Sequence, residues 1–179
     1  CAHMTANLID AIDDDRNPLA GTSIYDRNFQ TVVALEAVAN APTDPVLVSP
    51  PLSAIAAIAG EVSVVTGGAF DITVGPLVQA WGFGVASPSA EIAPSRGEIE
   101  RLRANVGFAR LELGPDGRSL RKSVPGLQLD VNGIAPGYAV DLIAERFDAL
   151  GVRDYLVELG GEVRARGSSP AGRPWRVAV

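Results

Sequence analysis

One cysteine, one histidine and more acid than base set the first limits on this 179-residue chain. A single cysteine excludes an internal disulfide framework and leaves the redox compartment open. The single histidine, His3, stands in Ala2-His3 just before Met4, which reads as a cloning remnant. A zinc site or a histidine general base is therefore not expected. Cys1 reads either as the acylated first residue of a bacterial lipoprotein or as part of the same remnant, and the remnant is favoured. The net charge of −6 argues against a nucleic-acid surface, since duplex binding rests on basic residues that neutralise phosphates. No apolar run is long enough to span a bilayer, and no signal peptide is visible. GxGxxG, the P-loop, internal repeats and low-complexity tracts are all missing. What remains is an ordinary globular composition, 47% hydrophobic, long enough for one compact domain with a core and room for a small second lobe.

The rest of the chain is organised around residues 128–151, QLDVNGIAPGYAVDLIAERFDALG. Gln128 to Val131 is a short apolar run suited to a buried strand and carries the acid Asp130. Asn132, Gly133, Pro136 and Gly137 read as a turn with unusual backbone angles. Ala139, Leu142, Ile143, Phe147 and Leu150 then recur at helical spacing, and Gly151 stands where a left-handed C-terminal residue is expected. A glycine-rich turn opening a helix offers N–H groups and a positive dipole end to a phosphate or pyrophosphate. On pattern alone a plain tight connection is as good a reading. The acid at the strand end would suit a metal or a sugar hydroxyl beside such a phosphate.

Taken in order, residues 4–15 read as a short helix ending in three acids, and residues 16–30 as a loop. Thr31 to Asn40 fits a strand or a helix equally. Ser49-Pro50-Pro51 starts a helix carrying Leu52, Ile55, Ala56, Ala59, Val62 and Val65, stopped by Gly67-Gly68. In residues 69–84, Phe70, Ile72 and Val74 alternate with Asp71 and Thr73 until Gly75-Pro76 breaks the run. Its glycines suggest backbone packed closely against something, or a simple turn over the core. Residues 86–95 are a Pro/Ser-rich loop, and Ser95 to Glu98 is a capping box for a helix with Ile99, Leu102 and Val106. Strands are expected at Phe108 to Leu113, Ser119 to Val124 and Leu127 to Val131, with a Pro-Asp-Gly turn at 115–117. Tyr155 to Leu159 reads as a buried strand turned by Gly160-Gly161 into Glu162 to Arg166. Trp175 to Val179 looks like a further strand.

Three stretches together resemble the ApbE family of bacterial flavin transferases: TGGAFDITVGPLVQAWGFG at 66–84, LDVNGIAPGYAVD at 129–141 and YLVELGGEVRARG at 155–167. GRPWRVAV at 172–179 follows them, and the likeness runs from about Leu8 to Val179. Order, spacing and residue types match together. The resemblance implies a mixed α/β, flavin-transferase, T-fold-like architecture in one domain over 1–179. It also implies FMN transfer from FAD to a threonine of an acceptor flavoprotein, magnesium-dependent, with release of AMP. Such phosphoryl chemistry needs mainly positioning and charge neutralisation, so a site without His or Cys is no obstacle.

Residue by residue, the resemblance implies FAD contacts at Ala69, Phe70, Asp71 and Asp130, and a magnesium-binding carbonyl at Gly133. Pro136 stands where most members have a lysine or another polar FAD contact. No catalytic residue is implied. Other departures are the absent aromatic near Leu19, the poorly matching loop 17–30, and the missing Met-Gly-Thr strand. The late Asp and Thr that complete the family's magnesium site are missing too, so the chain reads as incomplete or a fragment. The rival expectations are an FAD-binding module without transferase activity and a structural domain that has lost the ligand. By resemblance the location is the cell envelope, membrane-anchored or on the periplasmic side, and the residues leave a cytoplasmic one open.

Overall fold

A computed structural model describes Val38, residues 43–83 and residues 93–177. The expectations for residues 4–30, for Leu19 and for most of the 86–95 loop lie outside them. Of the undecided stretch 31–40 only Val38 is described, and it is helical and buried. The described residues form two compact units, one through Asp130 and one from Val131.

The first unit is built on helix α1 (Pro50–Val65), which begins where its sequence dictates. Prolines fill its first two positions, and the Ser49 hydroxyl accepts the Leu52 N–H. Leu52, Ile55, Ala56, Ala59 and Gly60 recur at three- and four-residue steps and form its buried stripe. Val65, expected on that stripe, is 86% exposed, because it falls past the last turn that meets the core. The helix ends in a Schellman motif: Gly68 N–H donates to Ser63 O and Gly67 N–H to Val64 O, with both glycines at positive φ.

Strands β1 (Val46–Leu47), β2 (Leu111–Leu113) and β3 (Ser119–Lys122) form an antiparallel sheet in the order β1-β3-β2. The Pro115-Asp116-Gly117 turn joins β2 to β3, with Asp116 accepting the Arg118 N–H at 3.0 Å. The Ser53 hydroxyl of α1 donates to the Gly117 carbonyl, tying the helix to that turn. Leu111 and Leu120 bury the inner face of the sheet. Lys122, the sequence's single lysine, is also buried, its ammonium donating to Pro125 O (2.7 Å) and Leu127 O (3.1 Å). Burial pushes its pKa below the usual lysine range.

Two short helices complete this unit. The alternating run does break at Gly75-Pro76, and there helix α2 (Gly75–Ala80) begins, with proline in its first turn. Helix α3 (Arg96–Arg103) has the expected Ser95 cap, whose hydroxyl accepts the Glu98 N–H at 3.2 Å. Val106 lies beyond its end. Phe108–Arg110 is a turn of 3-10 helix rather than strand, so β2 starts only at Leu111.

The expected strand at 127–131 reduces to one parallel bridge, Val74 with Gln128. Beyond it the stretch makes one further backbone bond, Asp130 N–H to Ile72 O at 2.7 Å, and the Val131 carbonyl accepts the N–H groups of Ile134 (3.0 Å) and Ala135 (2.8 Å).

The second unit packs helix α4 (Ala135–Ala149) on a hairpin of β4 (Tyr155–Leu159) and β5 (Glu162–Arg166). Gly160 and Gly161 turn the hairpin, both at positive φ as a two-residue loop of this hand requires. Val140 and Ala144 meet Tyr155 and Val157, flanked by Ile143 and Phe147. The buried face is thus rotated from the expected one, with Leu142 and Leu150 exposed. Strand β4 buries one face only, Tyr155 and Val157, not its whole length. Gly151, at φ 76°, closes α4 where its position predicts. Residues 175–177 are not a strand, and Trp175 instead donates its indole N–H to Arg166 O at 3.0 Å.

Candidate functional site

In the first unit the 66–74 segment is held at both ends by its own side chains. The Thr66 hydroxyl accepts the Phe70 N–H at 3.1 Å, and the Thr66 carbonyl accepts that of Ala69 at 3.3 Å. At the other end Asp71 Oδ1 accepts the Thr73 N–H (2.8 Å) and the Thr73 hydroxyl (2.7 Å), while Oδ2 accepts the Phe108 N–H (2.9 Å). Thr73 Oγ1 in turn accepts the Gly107 N–H at 2.7 Å. An acid followed two residues later by threonine favours such a local turn. The partner at Gly107–Phe108 leaves no trace in that pattern.

The first matched motif lies beside the start of the second. Ile72 O accepts the Asp130 N–H at 2.7 Å, and Val74 bridges Gln128. Gly75 permits the approach, for a Cβ there would lie 2.8 Å from the Gln128 carbonyl oxygen. Asp130 therefore lies beside Ile72, the residue that follows Ala69, Phe70 and Asp71. Lys122 holds the Pro125 and Leu127 carbonyls just upstream.

In the second unit the turn 132–134 leads into α4, with Gly133 exposed and Pro136 at the second helical position. Neither Asn132, Gly133 nor Gly137 adopts positive φ, so the expected unusual angles are not used. With Ile134 and Ala135 bonded to Val131 and Pro136 lacking an N–H, the first turn of α4 offers an anion little more than Gly137. A Cβ at Gly137 would meet nothing within 4 Å outside the helix's own backbone, so that face of the first turn is not packed against a neighbour. No backbone N–H among the described residues donates to the Gly133 carbonyl.

Among the described residues no three His, Cys, Asp or Glu side chains gather as a metal site. One open carbonyl suits Mg²⁺ only where phosphates and water complete its shell.

The ApbE family model matches residues 24–179. The chain belongs to the ApbE family. The chain is 41% identical to the FAD:protein FMN transferase of Vibrio cholerae over 116 residues, 64% of this chain and 33% of that one. It is 32% identical to the FAD:protein FMN transferase of Chlamydia pneumoniae over 170 residues, 94% of this chain and 49% of that one. The apo flavinyl transferase ApbE of Pseudomonas stutzeri superimposes with a TM-score of 0.78 at 35% identity, covering all of this chain and 57% of that one. The flavin transferase ApbE of Vibrio cholerae gives 0.78 at 30% identity, covering 99% and 54%. The chain thus spans a third to a half of the curated relatives named and has the mixed α/β architecture of ApbE flavin transferases.

Proposed function

We propose that the chain carries the FAD-binding part of a flavin transferase, which moves FMN from FAD to a threonine hydroxyl of an acceptor flavoprotein and releases AMP. The observation that carries this reading is the pairing of the two matched motifs, Ile72 O with Asp130 N–H beside the Val74–Gln128 bridge. That pairing sets Asp130 against Ile72, the residue that follows the Ala69-Phe70-Asp71 triplet.

In this reading the backbone of Ala69–Asp71 lines the nucleotide and Asp130 accepts a hydrogen bond from it. The Gly137 N–H at the start of α4 suits a pyrophosphate oxygen, and the Gly133 carbonyl is the candidate ligand for Mg²⁺. The cation would neutralise charge on the pyrophosphate. In the transfer the threonine oxygen bonds to the FMN phosphorus as the bond from that phosphorus to the bridging oxygen breaks, AMP leaves with that oxygen, and the hydroxyl proton passes to solvent. A cell-envelope location is part of the same proposal.

The test is FAD titration by flavin fluorescence, comparing the chain with Asp130→Ala. The variant is expected to lose about 1.5–3 kcal/mol of binding, the worth of a hydrogen bond to a charged group. Unchanged affinity would remove Asp130 from the site. Mass spectrometry of a threonine-bearing acceptor incubated with FAD and Mg²⁺ tests transfer. FAD binding without transfer would favour the FAD-binding module instead.

A further inference from the structure

We propose that Asp71 and Thr73 act as a positioning clamp for the FAD site, ordering the Ala69–Ile72 backbone rather than touching the nucleotide with the Asp71 carboxylate. The inference rests on the FAD-binding reading and gives one of its expected contacts a different role.

A carboxylate offers about four acceptor positions, and protein donors fill three of those of Asp71. Thr73 is fully buried, and its hydroxyl has one proton, directed to Asp71 Oδ1 at 2.7 Å. The same oxygen takes the Gly107 N–H, so both of its roles are used within the protein. The two side chains thereby join residues 71–73 to a corner more than thirty residues away in sequence.

That corner is itself fixed. Gly107 has φ 142°, a value that favours glycine, and the Phe108 ring lies where a Cβ at Gly60 of α1 would be 2.6 Å from it. Helix α1 therefore holds Phe108, Phe108 holds Asp71, and Asp71 with Thr73 fixes the peptide between them. The carbonyl of that stretch, Ile72 O, is the acceptor for Asp130 N–H. Loosening the clamp shifts the Ala69–Asp71 backbone and Asp130 together, and both are expected to meet FAD.

A direct contact and a clamp differ in which variants matter. Asp71→Asn keeps the shape but sets an amide N–H₂ or a weaker acceptor against the donors of Thr73 and Phe108. Thr73→Val keeps the shape and the Asp71 charge but removes the hydroxyl that links Asp71 to Gly107. The clamp predicts that each weakens FAD binding by roughly ten-fold, and that the double variant is no worse than either, since they break one network. Thr73→Ser, which keeps the hydroxyl, should bind within about two-fold of the parent chain.

Affinities are measured by fluorescence titration well below each variant's melting temperature, with the folded fraction set by circular dichroism. Amide hydrogen exchange is followed at Gly107 and Phe108. The clamp is overturned if Thr73→Val binds FAD as the parent does while Asp71→Asn does not, which marks direct contact. It is also overturned if the variants only lower the melting temperature at unchanged affinity, or if Thr73→Val leaves Gly107 and Phe108 as protected as before. Failure of the parent chain itself to bind FAD defeats the FAD-binding reading, and the exchange result then still reports whether the linkage exists.

Discussion

The Asp130 N–H is bonded to the Ile72 carbonyl at 2.7 Å, 58 positions back along the chain. This bond brings together two stretches that are each ordinary alone. Its partner contact, Val74 with Gln128, depends on the absence of a side chain at Gly75.

Gly75→Ala is therefore expected to be destabilising out of proportion to one methyl group. Its Cβ would meet the Gln128 carbonyl oxygen at 2.8 Å and the Gln128 carbonyl carbon at 3.0 Å, both backbone atoms with little room to yield. A cost of about 1–3 kcal/mol follows for such overpacking. Urea denaturation measures it, and FAD titration of the folded variant should show weakened binding. A variant as stable as the parent would mean that the two stretches separate without cost.

Lys122→Ala tests the other support of this region. The substitution removes a buried stem and leaves the Pro125 and Leu127 carbonyls without their donor, Leu127 itself being fully buried. The combined cavity and orphaned acceptors should cost about 2–4 kcal/mol by chemical denaturation. A loss under about 1 kcal/mol would show that water reaches those carbonyls, contrary to the burial of the site.

The ends of elements were largely legible from the sequence. Ser49 with Pro50-Pro51, Ser95 with Glu98, Gly151 and Gly160-Gly161 carry local signals, and each does its local work in the structure. Distant partners defeated the same reading elsewhere. Phe108 reads as the first residue of a strand, but its N–H is committed to Asp71 and its predecessor Gly107 takes φ 142°, so the chain turns once more before pairing. Gln128 to Val131 reads as a buried strand, but it makes only the Gln128 bridge to Val74 and the Asp130 N–H bond to Ile72 O, and the Val131 carbonyl serves the start of α4. At the site, the residue types around Asp71 and Asp130 were visible as motifs. That Asp71 is also committed to Phe108 was not, since nothing at spacing two or three encodes a partner 37 positions away.

In the second unit the pH dependence has a definite sign. Asp148 accepts from Arg166 (2.6 Å) and from the Tyr155 hydroxyl (3.1 Å), and the Arg166 hydrogen bond above all holds its carboxyl below the usual carboxylate range. A lowered pKa in the folded state stabilises above the ordinary carboxylate range of about 4, and that stabilisation is lost as pH falls through the folded value. Tyr155 is raised, first by burial and then by Asp148, so its contribution is full below about pH 10 and fades as pH rises through the raised value. Melting curves of the parent and Asp148→Asn should differ at neutral pH and converge in acid. Parallel curves down to about pH 2 would rule out Asp148 as the source.

Pro136 separates two readings of the start of α4. At the second helical position proline costs no hydrogen bond, and its Cβ lies 4.0 Å from where a Cβ at Gly160 would stand. Pro136→Lys should leave the helix intact and tighten FAD binding a few-fold if the only thing missing there is a polar contact. Weaker binding, with the fold retained by circular dichroism, would mean that the fixed φ of proline sets the approach to Gly137.

Magnesium should depend on FAD rather than the reverse. The ligand proposed for Mg²⁺ is the Gly133 carbonyl, exposed and accepting no backbone N–H among the described residues, and no group of three acidic or His/Cys side chains forms among them. Mg²⁺ demands near-octahedral oxygen coordination and sheds water reluctantly, so one carbonyl cannot hold it alone. Phosphate oxygens of FAD would supply both charge and geometry. Calorimetric titration of Mg²⁺ into the chain is expected to give no saturable binding at millimolar concentrations without FAD, and binding once FAD is present. Removing Mg²⁺ with EDTA should weaken FAD binding by the same factor that FAD strengthens Mg²⁺ binding, since the coupling is reciprocal. Saturable Mg²⁺ binding in the absence of FAD would point to a protein carboxylate in the metal's shell, and Asp130→Asn would then show whether it is the acid three residues before Gly133.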